Sequence, residues 1–98
     1  MAGNEGQEGK KEYLPALEFG SLVMPFFIQG LIKLGEVEDP VADATSVNLE
    51  LGKRLIDLLD LLRDRTKGNL EEEEEKFLEA CLARLKLAYI ERMKVVKT

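Results

Sequence analysis

The sequence predicts an all-α fold with three main helices, at about residues 16–34, 48–67 and 69–94. Two observations predict it. Apolar residues recur at helical rather than alternating spacing along the chain beyond its first residues. The periodic stretches are bounded by residues that end or begin helices: Gly35, Asn48, Gly68 and Asn69. With 98 residues, 45% of them hydrophobic, the chain suffices for one domain with a small packed core. Residues 1–13 are rich in Gly, Glu and Lys and have no apolar periodicity. They read as a disordered tail, leaving 14–98 as a single helical domain.

The first helix starts near Pro15, a residue suited to a first helical turn. Phe19, Val23, Phe26, Phe27, Leu31 and Leu34 share one broad side. Met24, Ile28 and Ile32 carry the apolar surface round the back, so only a narrow sector with Ser21, Gln29 and Lys33 is polar. A helix apolar almost all round must be covered almost all round. Pro25 removes one ladder hydrogen bond, and it should kink the helix near residues 21–25 or mark its true start. The uncharged run from Phe19 to Ile32 is shorter than the roughly 20 residues a membrane span needs. Gly35 supplies the stop. The polar stretch EVEDPVADATSV, 36–47, reads as a solvated connector.

Asn48 is a good N-cap for the second helix. Leu51, Leu55, Leu58, Leu59 and Leu62 fall on one side, expected to face the core, with Ile56 and Leu61 flanking. Arg63, Arg65 and Lys67 crowd the last turn, where cations meet the negative end of the helix dipole. Gly68 then turns the chain, so that the second and third helices form an αα-hairpin or corner with the first packed across them. Asn69 and Glu72 have the spacing of a capping box for the third helix. Its main face holds Leu70, Phe77, Leu78, Cys81, Leu82, Leu85, Ala88 and Tyr89. A second apolar stripe runs along the other side, through Ala80, Ala83, Leu87 and Ile90.

These motifs occur in a telling order: LGE (34–36), EDP (38–40), VNL (47–49), IDLLDLL (56–62) and TKGNLEEEE (66–74). The chain thereby resembles the small bacterial family called domain of unknown function 1844, from about Phe19 to Tyr89. The most specific part is TKGNL followed by acids, downstream of IDLL. The resemblance implies a short, mainly helical bacterial protein. It implies no activity, cofactor or catalytic residue.

Composition narrows the chemistry. A net charge of −5 argues against nucleic acid and anionic lipid as main partners. Arg84, Lys86, Arg92, Lys94 and Lys97 are spread around the last helix with no aromatic row beside them. The chain has no histidine, which removes the commonest zinc ligand and any Cys–His pair. Cys81, the only cysteine, falls on the leucine face of the third helix and reads as a small hydrophobe. Glu71 to Glu75 suit a first helical turn better than a cation site, because a helix surface is convex. Acid pairs such as Asp57 and Asp60 read as solvated surface charge. The N-terminus has no apolar core of a secretory signal, so a cytoplasmic location is expected.

No enzyme, cofactor or metal site is therefore expected. What the three-helix unit does offer is more apolar surface than it can hide. The candidate interaction surface comprises Met24, Ile28, Ile32, Ala80, Ala83, Leu87 and Ile90. It predicts a homodimer or higher homo-oligomer, or a site for another protein. A peripheral membrane factor using the first helix as an in-plane anchor is the alternative.

Overall fold

A computed structural model describes residues 18–40 and 47–97. It contains α1 (Phe19–Lys33), α2 (Leu49–Arg65) and α3 (Glu72–Lys97), and no strand among the described residues. The all-α, three-helix expectation is met. The expected tail, the place of Pro15 and residues 41–46 of the connector lie outside the described residues.

α1 begins three residues later than expected. Glu18 is its N-cap, with extended backbone at φ −138° and ψ 166°. Pro25 lies inside α1 and does not mark its start. Both Pro25 and Ser21, the residue one turn earlier, are on the exposed side of the helix, where a missing ladder bond costs least. The other end of α1 closes as a full Schellman motif. Glu36 N–H donates to the Leu31 carbonyl at 2.8 Å, and Gly35 N–H to the Ile32 carbonyl at 3.0 Å. Gly35 takes φ +82°, the left-handed conformation that makes this closure possible.

Asn48 caps α2 as expected, its side chain accepting from Leu51 N–H at 3.0 Å. At the far end Thr66 is the C-cap, and its hydroxyl donates to the Leu62 carbonyl at 2.8 Å. Thr66 to Asn69 then form a β-turn, closed by Asn69 N–H on the Thr66 carbonyl at 2.8 Å, with Gly68 at φ +86° in its third position. Asn69 belongs to this turn and does not cap α3. Instead the Glu71 carbonyl accepts the first helical bond, from Glu75 N–H at 2.9 Å. The Glu74 carboxylate reaches back to Glu71 N–H, also at 2.9 Å. The capping box is therefore shifted two residues along the glutamate run, with only its glutamate half formed.

The helices run up, down and up. Ion pairs between Arg63 and Glu79 and between Asp60 and Lys86 fall in antiparallel register, as an αα-hairpin requires. α1 meets α3 in parallel register, through Gly20 with Phe77 and Gly30 with Leu85, and Arg92 of α3 reaches the Gly35 carbonyl beyond the end of α1. Every pair of helices packs together. The core between them holds Val23 and Leu34 from the α1 end, Ile56 and Leu59 from α2, and Leu78, Cys81, Leu82, Leu85 and Ala88 from α3.

α2 does not bury its leucine stripe as expected. Gly52, Ile56 and Leu59 are its buried residues, while Leu51 and Leu58 stay 44% and 41% exposed. The cause is a close approach at Gly52. A Cβ there would come within 2.5 Å of Leu34 Cδ2, and Leu34 is wholly enclosed. A residue without a side chain thus sits on the inward side of α2 with Ile56 and Leu59, and Leu51 and Leu58 are turned outward.

The two left-handed glycines separate conformational cost from contact cost. A Cβ at Gly68 meets nothing within 4 Å, whereas one at Gly35 runs into the Arg92 guanidinium. In urea unfolding, Gly68→Ala is expected to lose about 1 kcal/mol. Gly35→Ala is expected to lose about 2–4 kcal/mol, because it also displaces the hydrogen bonds of a cation. Equal losses would show that Arg92 contributes nothing at that joint.

Candidate interaction surface

Buried polar chemistry is scarce in this molecule. No described buried side chain is polar or charged, and no buried side-chain polar atom among the described residues lacks a hydrogen bond. Charged groups instead lace the exterior. Asp60 takes Arg63 at 2.8 Å and Lys86 at 3.3 Å, and Arg63 also reaches Glu79 at 3.1 Å. This network bridges α2 and α3 on an exposed edge, where each pair contributes roughly 1 kcal/mol or less. Asp60 thus works within a structural ion-pair network. Arg84 pairs with Glu36 at 2.8 Å, tying α3 to the turn after α1. Arg92 donates through Nε to the Leu34 carbonyl at 3.1 Å and through Nη2 to the Gly35 carbonyl at 3.3 Å. It meets the negative end of the α1 dipole there. Glu50, Arg54 and Arg65 make no ion pair with any described residue.

Cys81 sits in the core, and burial pushes its thiol up from the ordinary range. It is therefore a neutral packing group at neutral pH, the opposite of an activated nucleophile. The cleft beside the α2–α3 turn is ringed by charges of both signs, Arg63 and Lys67 with Asp64, Glu75 and Glu79. Among the described residues no three His, Cys, Asp or Glu side chains gather to hold a metal ion.

Apolar surface is what the exterior offers in quantity. The expected stripe on α3 is present: Ala80 and Ala83 are exposed, and Leu87 and Ile90 are each 52% exposed. It lies on the far side of α3 from Leu78, Leu82 and Leu85. Met24 and Ile28 are exposed on α1. Ile32, expected to continue their row, is only 4% exposed and so cannot join a surface. The remaining six are divided between two helices.

A further surface was hidden in the assumption that the leucines of α2 face inward. Leu22 and Phe26 of α1 and Leu58, Leu61 and Leu62 of α2 line an apolar groove of about 300 Å³. Arg65 stands at its end as the one charged lining residue. The signal for it was available in the sequence, since Leu51, Leu55, Leu58 and Leu62 follow the i, i+4, i+7, i+11 spacing of a coiled-coil seam.

The family model described as Domain of unknown function (DUF1844) matches residues 16–91. No curated protein and no solved structure matches the chain. The motifs behind the resemblance have structural work in this fold. LGE supplies the enclosed Leu34, the left-handed Gly35 and the Glu36 partner of Arg84, and TKGN supplies the cap and turn between α2 and α3.

Placement and protonation can each be checked. Ile32→Ala is expected to cost about 2–5 kcal/mol in chemical denaturation, by the cavity it leaves, whereas Leu87→Ala should stay within about 0.5 kcal/mol. Matching losses at the two sites would contradict their placement. The raised Cys81 thiol is neutral in both folded and unfolded chains at low pH, and ionises first in the unfolded chain. The thiol's contribution to stability should therefore be flat below the free-thiol pKa of about 8.5 and fall above it, a difference that comparison with Cys81→Ala isolates.

Proposed function

We propose that the chain, which belongs to the domain of unknown function (DUF1844) family, is a non-enzymatic, self-associating helical module of the cytoplasm. The observation that carries this reading is the continuous apolar groove between α1 and α2. Single exposed leucines are ordinary on protein surfaces. A groove lined by leucines and Phe26, with Arg65 its one charged lining residue and with Leu22 51% and Leu61 48% exposed, is surface that association would hide. Support also comes from the ion pairs of the exterior, which join side chains along and between helices.

The second reading, peripheral attachment to a membrane, draws on the exposed Leu22, Met24 and Ile28 of α1. No helix among the described residues is long and apolar enough to cross a membrane. The polar sector of α1 carries a single cation, Lys33, which leaves little attraction for anionic headgroups. Self-association is the better supported of the two.

Sedimentation equilibrium at high micromolar concentration tests the proposal. A mass of at least two chains, falling toward one on dilution, is the expected result. A single-chain mass throughout, or flotation of most of the protein with lipid vesicles, would overturn it.

A further inference from the structure

Resting on that reading, we infer that the α1–α2 groove is filled by the same groove of a second copy, with the two α2 helices packed antiparallel about a two-fold axis. Leu51, Leu55, Leu58 and Leu62 form the seam, at a/d spacing; Leu51 and Leu58 are exposed, while Leu55 and Leu62 are half-buried, Leu62 against the edge of the core. Antiparallel pairing of such a seam sets a positions against d positions. It places Leu51 against Leu62 of the second copy and Leu55 against Leu58, with the axis between these two layers. Leu22 and Phe26 form the far wall of the groove and extend the contact onto α1.

Charge selects the orientation. One step beyond Leu62 the seam arrives at Arg65. Parallel packing would put two Arg65 guanidinium groups in one layer, a like-charge contact at the edge of an apolar interface. Antiparallel packing instead carries Arg65 to the layer of Asn48 at the beginning of the other α2, in the same first turn as Glu50. Arg65 and Glu50 make no ion pair with a described residue of their own subunit, so each is available to the other. The two-fold arrangement forms this pair twice.

Symmetry and area favour the groove over the α3 stripe. Docking the α3 stripe of one copy into the groove of the next would be a head-to-tail contact, which propagates into open chains unless the rotation closes. Groove against groove is self-complementary and ends at two copies. The α3 stripe also has two alanines among its four residues, whereas all four seam positions on α2 are leucine. On the groove side Leu22, Leu51, Leu58 and Leu61 are exposed, against Leu87 and Ile90 as the large side chains of the stripe.

Sedimentation velocity over a dilution series tests the interface on the full chain, with circular dichroism to confirm folding. Leu58→Glu is expected to raise the dimer dissociation constant at least ~100-fold by placing a charge inside the seam. Leu51→Glu, at the exposed first turn of α2, gives the same direction should Leu58→Glu fail to fold. Leu87→Glu should leave the constant within ~3-fold, as a surface change outside the contact. At low salt Glu50→Arg and Arg65→Glu should each weaken the dimer several-fold, by about the strength of two exposed ion pairs, and the double exchange should restore it. A dimer that resists both leucine variants, or yields to Leu87→Glu, overturns this interface while leaving self-association standing. Failure of the double exchange to restore affinity overturns the antiparallel orientation. A single-chain mass for the unaltered protein, as when another protein or the chain's own first residues fill the groove, overturns interface and self-association together.

Discussion

Leu34 is enclosed on every side, and the groups that enclose it come from all three helices. It follows the last turn of α1, lies against the bare backbone of Gly52 in α2, and has its carbonyl held by Arg92 from α3. Burial of one such side chain stabilises the fold by about 1.5–3 kcal/mol. Arg92 adds two charge-assisted donors at a helix end whose carbonyls would otherwise lack partners. The chain also returns to this joint, since Asn48 N–H donates to the Lys33 carbonyl at 2.8 Å just before α2 begins. Gly35 makes the geometry possible twice over: it adopts the left-handed turn, and it leaves the space that the Arg92 guanidinium occupies.

The same joint produces the exposed surface. Because Leu34 packs on Gly52, the inward side of α2 is the line through Gly52, Ile56 and Leu59. The leucine seam of α2 lies to one side of that line. Parallel packing of α1 on α3 is fixed by another close approach, where a Cβ on Gly30 would lie 2.9 Å from Leu85 Cδ2. α1 is thus pressed toward α3, and its Leu22 and Phe26 form a wall of the groove that the leucines of α2 complete. Core packing and the uncovered groove are two results of one constraint.

The helix ends were legible in the sequence where one residue type does the job alone. Asn48 caps α2, and Gly35 and Gly68 take the left-handed conformation, as their chemistry requires. The start of α3 was misplaced because two residues could serve. Asn69 competes for capping with Glu71, and the β-turn closed on Thr66 takes Asn69 out of contention. The face of α2 was misread for a different reason. Apolar periodicity counts leucines and gives glycine no weight, yet a glycine can bring another element closer than any leucine. Six of the seven surface candidates behave as exposed residues or lie on exposed faces, because α1 and α3 are apolar on more than one side. Ile32 does not, because it is buried at the end of α1. Arg92 gave no advance signal at all, since its partners are carbonyls remote in the chain.

In the proposed dimer α2 both closes one core and opens onto a second. Methyl–methyl nuclear Overhauser contacts, filtered for those between copies in a mixture of differently labelled chains, read this directly. Contacts between Leu55 of one copy and Leu58 of another, and between Leu51 and Leu62, are the predicted result. Contacts between copies that involve Leu87 and Ile90 but none of the α2 leucines, or none between copies at all, would contradict it.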